Sequence, residues 1–210
     1  MRMIRITCCA LIAAVGAWVG PGEAAASPAV GSATAFLEAH AARVQAVVLR
    51  QPADSLTAAE REQVRVLIND AFDFRELARQ SLGDVWEART EAERDEFVDV
   101  YRGIIERSNL DMFIRYHRDG GISYTAEEIA DDGRAVVLAE VPLKKEKKII
   151  SYSLHRPGSD QEWRIYDLAV DGAGTVAGNR RAWTRYISRH SYEKLLESLH
   201  KKLARLEEAG

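Results

Sequence analysis

The apolar period of this chain changes twice, and those changes constrain its fold more than any single motif. Up to Tyr116 apolar residues recur at helical spacing; after Gly120-Gly121 they alternate, and beyond the turn at Asp171-Gly172 helical spacing returns. The first block predicts amphipathic helices. Phe36, Leu37, Val44, Val47 and Val48 form one stripe, ended near Pro52, and Val64, Leu67, Ile68 and Ala71 form a second behind Thr57 and Glu60 at capping-box spacing. Leu77, Ala78 and Leu82 lead to Gly83, a helix-ending residue, and Thr90 with Glu93 opens a longer helix through Phe97, Val100, Tyr101, Ile104 and Ile105 to Phe113 and Tyr116. Then come four expected strands, Ile122 to Ile129, Arg134 to Leu143, Lys147 to His155 and Glu162 to Val170, whose short turns favour antiparallel hairpins. Asn179 to His190 and Tyr192 to Leu206 close the chain as helices. The order predicts an α+β fold, a curved antiparallel sheet of about four strands with helices packed on one side. No internal repeat interrupts it.

The N-terminus reads as an export signal. Arg2 and Arg5 precede an apolar run from Ile6 to Val19, Pro21-Gly22 breaks it, and Ala24-Ala25-Ala26 offers a small-residue cleavage site, so cleavage is expected after Ala26. The run is shorter than the roughly 20 residues needed to span a bilayer. Both cysteines, Cys8 and Cys9, fall inside it, which leaves residues 27–210 without a disulfide or a thiolate. Those residues are expected to form one domain held by its core, with a helical part over 34–118, a sheet over 121–171 and C-terminal helices over 178–207. They contain no second apolar span, so stable insertion in a membrane is not expected. The formal charge of −3 and interspersed signs argue against a nucleic-acid partner.

Catalytic signatures are sparse. The histidines His40, His117, His155, His190 and His200 are scattered, with no metal-binding spacing, and no phosphate-binding glycine loop or nucleophile elbow occurs. No metal and no cofactor is expected. Asp167, within an apolar strand beside Tyr166, is the sharpest acidic candidate for a general base, and its alternative is a structural carboxylate that accepts backbone hydrogen bonds at the strand end. Two basic groups stand out. Lys144-Lys145-Glu146-Lys147-Lys148 reads as a solvated hairpin tip, and Arg180, Arg181, Arg185 and Arg189 crowd one helix beside Trp183.

The stretch from Trp163 through Tyr166-Asp167 to Asp171-Gly172, with Trp183 downstream, resembles a signature of the periplasmic phospholipid-binding proteins of the Mla pathway, the MlaC or toluene-tolerance family. Phe72-Asp73-Phe74, Ala78-Arg79, Leu82-Gly83, Trp86, Thr90, Arg94 and Phe97 extend the likeness in the family's order. Gly172-Ala173-Gly174 departs from it where many members have Gly-Val-Ser. The resemblance implies a sheet related to nuclear-transport-factor-2-like domains, with an apolar lipid pocket between sheet and helices. It further implies a soluble carrier, not an enzyme, that takes phospholipid between an outer-membrane lipoprotein complex and an inner-membrane ABC transporter. A hopanoid-like lipid is the alternative cargo.

Such a ligand sets a physical requirement. Two acyl chains carry on the order of 30 methylenes, each worth about 0.8 kcal/mol on burial, so only an enclosed cavity suffices. Under the resemblance the lining is drawn from Phe72, Phe74, Trp86, Phe97, Tyr101, Ile105, Tyr116 and Trp183 on helices. The sheet contributes Ile150, Tyr152, Leu154, Trp163, Ile165, Tyr166 and Leu168. Without it, aromatic stripes at these spacings read as plain core. Alternation further places Trp163 and Tyr166 on opposite faces of one strand. Arg75 and Arg79, one turn apart, are rim candidates for a phosphate, or simply a solvated face paired with Asp73 and Glu76.

Overall fold

A computed structural model describes residues 31–50, 56–119, 121–143, 146–158 and 162–209. The expected leader with its site after Ala26, the break at Pro52 and the tip residues Lys144 and Lys145 lie outside the described residues. Helix starts follow the capping chemistry. Ser32 Oγ accepts from the Ala35 amide at 3.0 Å and opens α1 (Ala33–Val48). Thr57 and Glu60 exchange both capping-box bonds, 2.8 and 3.2 Å, before α2 (Ala58–Asp70). Asp73 caps α3 (Phe74–Leu82), which stops at Gly83 with φ +59°, a left-handed conformation glycine adopts without strain. One further turn, α4 (Asp84–Glu87), carries Trp86. Thr90 and Glu93 repeat the box before α5 (Glu91–Asp119), whose 29 residues span about 43 Å.

Among the described residues five antiparallel strands follow in a simple meander: β1 (Ser123–Ile129), β2 (Arg134–Pro142), β3 (Lys147–His155), β4 (Arg164–Val170) and the two-residue β5 (Ala173–Gly174). Period-two burial is clearest on β2, where Ala135, Val137, Ala139 and Val141 face the core and Val136 and Leu138 face out. On β4 the period breaks. Ile165 pairs Leu154 but Asp167 pairs Ser153, so Tyr166 is an extra residue in a bulge, and Trp163, Ile165 and Leu168 share the buried face. Tyr166 stands apart from them, edge-on to His155 and under the Arg134 guanidinium. The sheet thus forms an α+β fold with helices α6 (Thr175–Arg189) and α7 (Tyr192–Ala209) completing the chain.

Three apolar clusters organise the interior. The first joins the inner sheet face to Leu37 of α1 and Tyr116 of α5. In the second, α3, α4 and α5 pack with α6 and α7 around Phe97, Tyr101 and Trp183. A third holds α1, α2 and α5 together through Val44, Val48, Val64, Ile68 and Ile114. Phe72, in the link between α2 and α3, packs against all three. Its segment is stitched to the exposed edge of β4: the Asp73 amide donates to Ile165 O and the Ile165 amide to Ala71 O, each at 2.8 Å. This covers an edge that would otherwise offer unpaired backbone groups.

Candidate functional site

Two apolar hollows meet at Phe72. The first lies between sheet and helices, lined by Leu37, His40 and Ala41 of α1, Ile68 and Ala71 at the end of α2, Phe72, Phe113 and His117 of α5, and Tyr152 and Ile165 of the sheet. The second runs on between α2, α3 and α5, past Phe74, Ile105 and Leu110, to Arg65 and Glu106. Ile68, Phe72 and Phe113 line both. The Phe72 ring stacks on Phe74 at 5.5 Å and tilts against Phe113 at 6.3 Å, so the partition between the hollows is made of side chains, which rotate, and not of backbone. Ala41 and Ala71 leave the space that larger residues would fill.

The hollows are narrow as they stand. Counted out to their mouths they hold about 340 and 250 Å³. If each methylene takes a volume near the 30 Å³ of a water molecule, two acyl chains need on the order of 900 Å³. Neither hollow reaches half of that. Occupancy by such chains therefore requires α1, α2 or α5 to move away from the sheet, and the stitched link at Phe72 marks where separation is resisted.

Beside the Tyr152 hydroxyl, the first hollow is bordered by two histidines, held neutral. Arg43 donates to His40 Nδ1 at 3.0 Å, so that nitrogen is an acceptor. His117 Nδ1 lies 2.8 Å from the Phe113 carbonyl, which only accepts, so there Nδ1 carries the hydrogen. Burial, reinforced by the Arg43 charge, pushes His40 down to about 4, and burial lowers His117 as well. The unfolded chain then binds more protons than the folded one between about pH 6.5 and 4, so stability is complete above that window and falls as the pH drops through it. Unfolding measured at pH 7.5 and pH 5 is expected to show a loss of about 2 kcal/mol from His40 alone. His40→Gln is expected to flatten the difference; an unchanged profile refutes the assignment.

Several of the residues expected from the sequence meet here, and others do not. Phe72, Phe74, Ile105, Tyr152 and Ile165 line the hollows. Tyr116, Ile150, Leu154, Trp163 and Leu168 lie in the sheet cluster behind them, and Trp163 donates from Nε1 to Gly31 O at 2.9 Å. Trp86, Phe97, Tyr101 and Trp183 sit in the second cluster, facing α6 and α7. Tyr166 is outside all three clusters, with His155 and Arg134. Leu37, His40, Ala41, Ile68, Ala71, Leu110, Phe113 and His117 join the lining without having been singled out for it. Of the two rim arginines, Arg75 pairs with Glu91 and Asp95, and Arg79 with Glu76; neither borders either hollow.

Asp167 is occupied elsewhere. Its Oδ1 accepts from the Leu168 and Val176 amides at 2.8 and 3.0 Å, and so it caps α6, whose own N-cap is Gly174. Burial raises this carboxyl and the backbone donors oppose the rise. Asp167→Ala is expected to lower stability by about 1 kcal/mol, as cap removals do, read as a shift in the denaturation midpoint; a change above 3 kcal/mol would sink a capping role. On α6, Arg180 donates to Gln80 O at 2.8 Å, while Arg181 and Arg185 are exposed opposite buried Trp183. Lys147 and Lys148 pair with Glu140 and Asp171. Among the described residues no three His, Cys, Asp or Glu side chains are placed to hold a metal, and no helix is long and apolar enough to cross a membrane.

Residues 40–201 match the family model described as MlaC protein. Seven chains of solved structures match. One is a phospholipid-binding protein from Ralstonia solanacearum in complex with a phospholipid, 20% identical, covering 84% of this chain and 99% of that chain with a TM-score of 0.73. No curated protein matches. At that identity the structural likeness establishes the fold.

Proposed function

We propose, from the premise that this chain belongs to the MlaC family, that it is an exported periplasmic carrier whose cargo is a phospholipid held by its acyl chains between sheet and helices. The observation that carries this is the pair of hollows joined at Phe72, divided by side chains and lined mainly by apolar ones. Loading is a change of packing, not of covalent bonds. Helices separate from the sheet, the tails replace side-chain contacts with their own, and the histidines stay neutral beside them. No reacting group is needed, and Asp167, committed to the start of α6, takes no part.

The solved phospholipid complex of similar fold supports this cargo. The leader expected over residues 1–26 supports a periplasmic location, and there the protein passes lipid between an outer-membrane lipoprotein complex and an inner-membrane ABC transporter. Exchange requires that docking on either partner favour the open arrangement, since a ligand shifts an equilibrium only by its differential affinity for the two states. The test is direct. Protein purified from a periplasmic extract is expected to yield about one phospholipid per chain on organic extraction and mass spectrometry. Recovery of a hopanoid instead moves the cargo to another lipid class. Protein that is empty, and that takes up no lipid from vesicles, defeats the carrier reading.

A further inference from the structure

At Arg65 the second hollow changes character. That residue and Leu110 line the apolar hollow on one side and, on the other, a charged groove of about 1230 Å³ between α2, α5 and α7. Three guanidiniums border the groove, Arg61 and Arg65 one turn apart on α2 and Arg107 on α5. Each is matched by a carboxylate that is at least half exposed: Glu62 at 57%, Asp111 at 83% and Glu207 at 50% side-chain exposure. Arg65 is anchored from behind. Its Nη1 reaches Glu106, whose side chain is only 6% exposed, while its Nε and Nη2 form a two-point fork on Glu62.

That fork is the geometry with which arginine holds a phosphate, and a half-exposed carboxylate occupies it. Displacing Glu62 exposes a fixed double donor at the border of an apolar hollow. The sign balance adds a second constraint. Arginines and carboxylates alternate around the groove, so an anion bound at Arg65 and Arg61 leaves Glu62 and Asp111 free to meet a cation. The shared chemistry is a phosphodiester with an ammonium a few ångströms away, joined to apolar chains.

Resting on the carrier reading above, we infer that the groove between α2, α5 and α7 is the headgroup seat for a zwitterionic phospholipid, with Arg65 and Arg61 on the phosphate and the tails entering past Leu110. Arg65 then acts as a latch between water and hollow, closed on Glu62 when no headgroup is present.

The experiment compares delipidated full-length mature protein with two variants. One is Arg61→Gln. The other combines Arg65→Gln with Glu106→Gln, so that no buried carboxylate is left without its partner. Binding is measured for dihexanoyl phosphatidylethanolamine, for dihexanoylglycerol with the same tails and no phosphate, and for phosphoethanolamine and inorganic phosphate without tails. The phospholipid is expected to bind the unaltered protein at least about tenfold tighter than the diacylglycerol, as expected for charge-assisted hydrogen bonds. Arg61→Gln, at a residue that lines neither hollow, is expected to lose most of that preference while keeping its affinity for diacylglycerol. The Arg65→Gln/Glu106→Gln pair is expected to lose the preference as the ratio of the two affinities measured on one preparation, with an unchanged denaturation midpoint showing that it is still folded. A preference that survives in both variants overturns the seat. So does tight binding of phosphoethanolamine or inorganic phosphate alone, which marks a site for free anions. Equal binding of the two lipids by unaltered protein overturns the seat and leaves the carrier intact; binding of neither overturns both.

Discussion

Phe97→Ala lowers the free energy of unfolding by about 3–5 kcal/mol and the melting temperature by roughly 10 °C, and leaves the phospholipid recovered per folded chain unchanged. Phe97 is fully buried in the second cluster, 5.3 Å from the Trp183 ring in an edge contact and 5.8 and 6.3 Å from Tyr101 and Tyr192. These rings tie α5 to α6 and α7, and Tyr101 extends the tie through a hydrogen bond received from Asn179. Truncation removes a ring from a site with few ways to collapse, because its neighbours are themselves large and fixed by polar tips: Tyr192 Oη donates to Glu93 O at 3.1 Å. Neither described hollow is lined by Phe97, Tyr101 or Trp183. Denaturation and lipid extraction on the same preparation separate the two effects. Lipid lost in proportion beyond the unfolded fraction would return Phe97 to the lining.

The fold was legible where its causes are local. Two capping boxes, a glycine stop and alternating strands are written within a few residues of where they act, and the order of helix, sheet and helix follows from them. What escaped the sequence has non-local causes. α6 begins at Thr175, four residues before the expected Asn179, because the carboxylate that caps it comes from Asp167 on β4. The bulge at Tyr166 moves Leu168 onto the face of Ile165, an arrangement that strict alternation forbids and only the pairing with β3 creates. α4 and β5 are too short to impose any period.

The site was legible by class and not by address. Helical spacing says that Phe97 and Phe113 both face inward along α5, but a 29-residue helix meets different partners along its length, α6 and α7 at one end and α1 and the sheet at the other. The period gives a face, never the identity of what faces it. Small residues hid for the opposite reason. Ala41 and Ala71 contribute room, which composition does not register. The one available signal was polar: His40 lies three residues after Leu37 and four before Val44, on the apolar stripe of α1, and His117 follows Phe113 by one turn of α5. Buried histidines on two stripes point to a common interior, and the hollow lies between them.

Ala41→Phe is expected to cut the phospholipid recovered per chain by about tenfold or more while costing only about 1–3 kcal/mol of stability, the range for overpacking. Ala41 is 6% exposed on α1 and borders the first hollow. A phenyl ring added there fills space of the first hollow that the tails would occupy, and displacing only two methylenes removes about 1.6 kcal/mol of burial, already more than a tenfold change in affinity. Val66→Phe, at a position 53% exposed on α2, adds a ring without entering the hollow and is expected to change neither quantity. The comparison weighs space against stability. If lipid occupied any other surface, Ala41→Phe and Val66→Phe would retain it equally, and if the hollow were only an imperfection of core packing, the larger side chain would stabilise the protein by filling it. Loss of cargo with the fold largely kept is the outcome that only a lipid-holding hollow produces.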